Sequence, residues 1–287
     1  MSWVRAIVGA SGSAVAPEAN VRALRESVAL LWRHRALCFE LIRRDLGSQF
    51  AGQAFGRFWI FGHPLILFGV YVFIFTIVLN TRISSSQEMP RDYTTYILTG
   101  LAPWLATQQV LARGPAALIG QASLVKQVVF PIEVLPLGAV IGAGIPLLVG
   151  IGVILARLIF LIDVPITILL LPLAILIHAT FMLGLAYVLS AVTPFFRDVK
   201  DVVSAFTVIG VYLIPAFYLP QWVPASLQPI LYFNPFSYII WMYQDVLYFG
   251  TLAHPMAWLV SIIMAAGTLA LGARTFRKLK PFVANVL

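Results

Sequence analysis

The chain has 287 residues, 61% of them hydrophobic and 10% charged, with a net charge of +8. A soluble domain carries roughly 25% charged residues, so this composition excludes an ordinary water-soluble protein and predicts an all-α integral membrane protein. The positive charge does not indicate a nucleic acid, because Lys and Arg sit at the ends of apolar runs, as in loops that meet cytoplasm and anionic lipid.

Residues 1–20 are rich in Gly, Ala and Ser and predict a flexible N-terminus with no signal peptide, since no charged start leads into an apolar core. Residues 21–58 are basic and amphipathic: Arg33, Arg35, Arg43, Arg44 and Arg57 alternate with Leu37, Leu41, Ile42, Leu46 and Phe50. That pattern predicts cytoplasmic or interfacial helices with one face on lipid or on the bundle. The single cysteine, Cys38, excludes an intrachain disulfide and leaves too few thiols for a cysteine-based metal site.

Residues 59–275 read as a six-helix transmembrane domain. Span 1 covers 64–79, entered through Trp59, and a polar hairpin at 80–92 follows. Span 2 begins at Tyr93 and contains Pro103, with Arg113 near its far end. Residues 121–132 are too polar and too short to cross. Span 3 covers 134–158, span 4 covers 166–192, span 5 covers 202–219 and span 6 covers 256–273. Residues 276–287 read as a basic tail. The stretch 220–255 is too broken by Pro220, Pro224, Pro229 and Pro235 for one spanning helix, yet too apolar for a solvated loop. Short re-entrant helices on the outer side satisfy both constraints. Within them Asn234 is expected to cap the helix begun by Pro235 or to form a gate, and Asp245 is costly unless paired.

Orientation follows from charge. No Lys or Arg occurs between Lys200 and Arg274, and sixteen of the nineteen basic residues fall on one side of the six-span reading. Translocated loops lose Lys and Arg, so both termini are expected in the cytoplasm and 220–255 outside.

The chain has no phosphate-cradling GxxxxGK[ST] and no HExxH, so neither catalysis nor its own ATP hydrolysis is expected. Ionisable residues within the spans are few, chiefly His178 and Arg113. That is a thin basis for a secondary transporter or channel acting alone.

Several stretches together resemble a known family. Leu41-Ile-Arg-Arg-Asp45 followed by Phe55-Gly-Arg-Phe-Trp59 and Pro64 is similar to the N-terminal approach of ABC-2 type polysaccharide export permeases, the Wzm-like subunits. Tyr96-Ile-Leu-Thr-Gly-Leu-Ala-Pro-Trp104 resembles the family's second span. Leu124-Val-Lys-Gln-Val-Val-Phe-Pro131 with Leu135-Pro136 resembles its coupling segment. Phe196-Arg-Asp-Val199 and Asn234-Pro-Phe236 resemble its second inner loop and its outer Asn-Pro motif. The matches keep the family's order across 37–275. One departure is Leu46-Gly-Ser-Gln-Phe50, where the family usually carries further basic residues.

The resemblance implies the ABC-2 exporter fold and a half-transporter in the bacterial cytoplasmic (inner) membrane. It would form a homodimer and work with two copies of a separate ATP-binding subunit that holds ATP and Mg, so this chain would need no cofactor. The implied cargo is a polyprenyl-linked polysaccharide such as O-antigen, capsule or teichoic acid. A drug, haem or small lipid is the alternative within the family. Coupling to the ATPase would fall on Ser123, Lys126, Val129 and Phe130. Sugars present apolar C–H faces, so the aromatics of spans 1 and 5 are candidate path residues: Phe68, Tyr71, Phe75, Phe206, Tyr212, Phe217 and Tyr218. Arg43, Arg44, Arg57 and Trp59 are candidates for the lipid carrier, and Asn234, Pro235 and Phe236 for an outer gate.

Overall fold

The computed structural model describes residues 33, 35–48, 56–78, 89–127 and 131–287, and among them every regular element is helical. Helix α1 is Arg35–Ser48, and α2 is Trp59–Val72, continuing as a π-helical stretch Phe73–Val78. Helix α3 is Tyr93–Arg113, the short α4 is Ala122–Gln127, and α5 is Val134–Leu161. A 3-10 turn, Ile166–Leu170, leads into α6, Leu171–Val192, and α7 is Asp198–Gly210. Helices α8 (Gln228–Phe233) and α9 (Pro235–Gln244) are short, and α10 is Pro255–Val286.

Among the described residues three stretches are long and apolar enough to cross a bilayer: α5, Ile166–Val192 and α10, of 28, 27 and 32 residues. This makes the chain a multi-pass membrane protein, since about 20 apolar residues suffice for one crossing. Helix α3 has the length, 21 residues, but carries Thr94, Thr95, Thr99 and Thr107. It tolerates them because it is the buried centre of the bundle, without an exposed position from Tyr93 to Thr107. The side chain of Asp92 starts it by accepting from Thr95 N at 3.1 Å, and also pairs with Arg157 near the far end of α5 at 2.8 Å.

Helices α6 and α10 pack closest. A Cβ on Gly184 would sit 2.4 Å from the Thr268 carbonyl carbon, and one on Gly272 would sit 2.4 Å from the Gly184 oxygen. Glycine is required at both positions because the backbones themselves are in contact, the small-residue packing common between membrane helices.

Two expectations change. The segment expected as span 5, 202–219, is not one helix: α7 ends at Gly210 and the chain unwinds through 219. Pro215 lacks an N–H and disfavours helix at Ile214 before it. The unwound stretch is nonetheless buried from Ile214 to Phe217, so its carbonyls need donors. Side chains supply them. The Tyr96 hydroxyl lies 3.0 Å from the carbonyls of Pro215 and Tyr218, and Gln244 Nε2 donates to Pro215 at 2.9 Å. The Tyr93 hydroxyl donates to Phe217, Asn234 Nδ2 to Leu213 at 2.8 Å and the Tyr218 hydroxyl to Tyr212 at 2.6 Å.

The second change concerns 276–287, expected as a tail, which continues α10 as helix. Phe276, Leu279 and Val283 recur on one face and are buried against Leu118, Ile132, Tyr187 and Ala191. Lys280 Nζ then reaches Glu133 Oε1 at 2.7 Å, tying the end of α10 to the start of α5.

Replacing Gly184 by Leu should lower the thermal midpoint of the detergent-solubilised protein, with an overpacking cost of about 1–3 kcal/mol. Tyr96→Phe keeps the ring and removes one donor from two buried carbonyls. It should cost about 1–3 kcal/mol, measured by thermal unfolding against Tyr238→Phe, whose hydroxyl serves an exposed carbonyl.

Candidate functional site

The candidate residues fall into four places. At the end of the bundle rich in Lys and Arg, Ser123 and Lys126 stand exposed on α4, three positions apart and so on one face. Val125 packs into the cluster around Leu118 and Tyr187, so α4 is fastened on one side and open on the other. Val129 and Phe130 lie outside the described residues. The neighbouring turn presents Phe196, Arg197 and Asp198 at the same end, all exposed. The Lys280–Glu133 pair closes this end of the molecule. No local pattern foretold it, because 147 positions separate the partners.

The seven candidate aromatics do not form one track. Tyr71 stacks on Phe217 with ring centroids 5.6 Å apart, and Phe217 lies 6.4 Å from Tyr212, which is 65% exposed. Tyr218 joins this patch through its bond to the Tyr212 carbonyl. Phe206 belongs to a second cluster with Trp104, at 6.5 Å, and Phe236, at 5.6 Å. Phe68 is 2% exposed, its ring wedged where a Cβ on Gly150 would lie 2.5 Å away, and so fills the core. Phe75 lies in the π-helical stretch, with its side chain outside the described residues.

At the proline-rich end, Asn234 caps α9: its Oδ1 accepts from Phe236 N at 3.0 Å while its Nδ2 holds the Leu213 carbonyl. Pro235 is the first residue of that helix and is exposed, and Phe236 is half-buried against Trp104 and Phe181. One side chain therefore both starts α9 and pins the unwound stretch after α7. Ile239 to Tyr248 are buried without a break. Asp245, fully buried, is paired: it accepts from His254 N at 3.1 Å, His254 Nδ1 at 2.8 Å and Trp258 Nε1 at 3.2 Å. The His254 ring lies flat on Trp241, 5.5 Å between centroids.

Arg91, just before α3, is fastened to this end by donating to the carbonyls of Leu247 and Tyr248, and the Tyr248 hydroxyl donates back to the Arg91 carbonyl at 2.7 Å. Burial lowers the Arg91 guanidinium from its ordinary range, and Tyr248, Asp163 and Asp92 oppose that.

Arg43 and Arg44 are exposed on α1, which packs against α5. Arg57 lies in the turn before α2, its side chain outside the described residues. Trp59 begins α2 and lines a cavity of about 450 Å³ between α2, α3 and α5, together with His63, Gln108, Gln109 and Arg113. Composition had marked Arg113 only as an intramembrane charge. His178, the other such residue, is fully buried, with Nε2 2.9 Å from Thr107 Oγ1 and Nδ1 3.3 Å from the Tyr243 hydroxyl. Among the described residues no cluster of His, Cys, Asp or Glu is suited to hold a metal.

Comparison with known proteins matches residues 36–248 to the family described as ABC-2 type transporter. An "O-antigen export system permease protein RfbA" of Klebsiella pneumoniae is 28% identical over 254 residues, covering 86% of this chain and 93% of that protein. A second Klebsiella pneumoniae protein of the same name is 28% identical over 251 residues, with the same coverage. One from Myxococcus xanthus is 27% identical over 237 residues, covering 79% and 85%. A helical bundle with crossing-length apolar helices, matched over most of its length to one family of membrane transporters, belongs to that family: the chain is a member of the ABC-2 type transporters.

Proposed function

We propose that this chain is the membrane subunit of an exporter that moves a lipid-linked polysaccharide, such as an O-antigen, across the bacterial inner membrane. The observation that carries the reading is likeness to three O-antigen export permeases over 79–86% of the chain. ABC-2 permeases work with an ABC ATPase subunit. In the arrangement proposed here, two copies of this chain form the pore and two ATPase subunits drive it. The Lys- and Arg-rich end faces the cytoplasm with both termini, the bundle crosses six times, and α8 and α9 are re-entrant on the outer side.

Each candidate group has a role in this scheme. Ser123 and Lys126 on the open face of α4 receive the ATPase, with Val129 and Phe130 following in the chain. The patch of Tyr71, Tyr212, Phe217 and Tyr218 offers flat rings to sugar C–H faces and is partly exposed, which a path requires. Phe68, filling the core, is the weakest candidate among the seven. Arg43, Arg44 and Arg57 approach the pyrophosphate of the lipid carrier from the cytoplasmic interface. Asn234, Pro235 and Phe236 sit at the junction between α9 and the unwound stretch, where a gate would hinge. His178 is committed to Thr107 and Tyr243, which disfavours a lone proton-coupled transporter. A drug, haem or small lipid remains the competing cargo.

A C-terminally tagged chain purified from native membranes in mild detergent should bring down a stoichiometric subunit with a phosphate-binding loop. Purification alone, with transport in liposomes that lack ATP, would defeat the reading. Lys126→Glu should insert normally and hydrolyse ATP without exporting polymer; normal surface glycan in that strain would remove α4 as the coupling site. Alanine at both Tyr71 and Tyr212 should slow the appearance of surface glycan at unchanged complex yield. An unaltered rate would reject these two as path residues.

A further inference from the structure

The cavity between α2, α3 and α5 is built by two prolines. Pro64 and Pro146 have no N–H, so the carbonyls of Ile60 and Gly142 lose their usual helical donors, and all four residues line the cavity. The Gly142 carbonyl finds a substitute. With the Gln109 amide turned so that its nitrogen donates to Gly142 O at 3.3 Å, its oxygen accepts from Arg113 Nη2 at 3.1 Å. A helix break in α5 thus fixes, through one amide, where the guanidinium at the end of α3 stands.

The lining is polarised along the helix axes. Arg113, Gln109 and Trp59 lie where α3 ends and α2 begins, while Leu67, Leu105 and Ile145 lie deeper. Arg113 and Leu105 are eight residues apart, about 12 Å of helix. Arg113 carries the fixed positive charge of this lining. A guanidinium presents a planar fork of donors that matches phosphate oxygens, and Trp favours the headgroup level. The volume, about 450 Å³, lies within the range of small-ligand sites and suits a headgroup phosphate with the first part of one chain.

We propose that this cavity holds an inner-leaflet lipid by its phosphate, with Arg113 as the phosphate ligand and one hydrocarbon chain running along Leu67, Leu105 and Ile145. The site is separate from the aromatic patch around Phe217. It rests on the orientation proposed above, with the Lys- and Arg-rich end in the cytoplasm, and on α2, α3 and α5 lying in the bilayer, but not on the cargo being a polysaccharide.

The test is native mass spectrometry of the full chain released from nanodiscs of phosphatidylcholine with minor shares of phosphatidylglycerol and a polyprenyl phosphate. The wild-type chain should retain one anionic lipid. Arg113→Gln should reduce retention about tenfold through loss of a charge-assisted contact. Ile145→Trp, which fills the deep end without altering Arg113, should do the same. Retained phosphatidylglycerol identifies a bulk phospholipid and retained polyprenyl phosphate a carrier lipid; either satisfies the proposal. Equal retention by wild type and both monodisperse variants, or no anionic lipid on the wild type, would overturn it. Should Arg113→Gln fail to assemble, Gln108→Leu at the same mouth takes its place, again with reduced retention expected. Co-purification of an ATPase subunit by these variants should be unchanged, which separates failure here from failure of the export reading.

Discussion

A backbone carbonyl inside a membrane protein must have a donor, and the unwound stretch after α7 is where this chain meets that demand at greatest expense. No water is at hand in hydrocarbon, and an unserved polar group costs several kcal/mol. The carbonyls of Tyr212, Leu213, Pro215, Phe217 and Tyr218 are all served by side chains. Apart from Tyr218, which serves Tyr212 within the stretch, those donors come from α3, from the head of α9 and from its last residue, so α3, α7 and α9 are held in register by the break itself. The donors Tyr93, Tyr96, Asn234 and Gln244 serve the carbonyls that the break at Pro215 leaves outside a helix.

The same logic repeats at the ends of the bundle with charge in place of carbonyls. Arg157 with Asp92, His254 with Asp245, and Lys280 with Glu133 each join elements far apart in sequence or across a turn. The Asp245 pair is the most demanding, because its carboxylate is wholly buried and three N–H groups converge on it. Breaking such a pair by removing one partner strands a charge, which is far worse than never having buried it. The pairs with one half-exposed member, Arg157 and Lys280, contribute less.

Much of this architecture was legible in the sequence because the bilayer imposes a simple rule on apolar length. α5, α6 and the membrane part of α10 stand where runs of apolar residues predict them, and Asn234 caps the helix that Pro235 begins. Span 5 was expected to be one continuous helix because 202–219 is largely apolar, and hydropathy cannot see that Pro215 unwinds a buried segment when donors wait on other helices. The extension of α10 was missed for the opposite reason. Its basic residues suggested solvent, while Phe276, Leu279 and Val283 supply a helical stripe that becomes decisive only once Tyr187 and Leu118 are there to cover it. The aromatics of spans 1 and 5 were grouped by composition, but three-dimensional packing divides them between a partly exposed patch, a Trp104-centred cluster and the core. The cavity beside Arg113 had no signal in spacing at all, since it depends on two prolines in different helices facing the same gap.

α10 joins the two ends of the molecule in one piece. Its 32 residues make a rod of about 48 Å, longer than the roughly 30 Å hydrocarbon core. The His254 contact with Asp245 lies at its head, and Lys280 grips Glu133 near its foot. Between them, glycine contacts with α6 leave no compressible side-chain layer along part of its length. A stiff rod anchored at both ends cannot absorb a displacement locally. The pairs at Asp245 and at Glu133 are therefore joined by one continuous helix, so the two ends of the bundle share a single element.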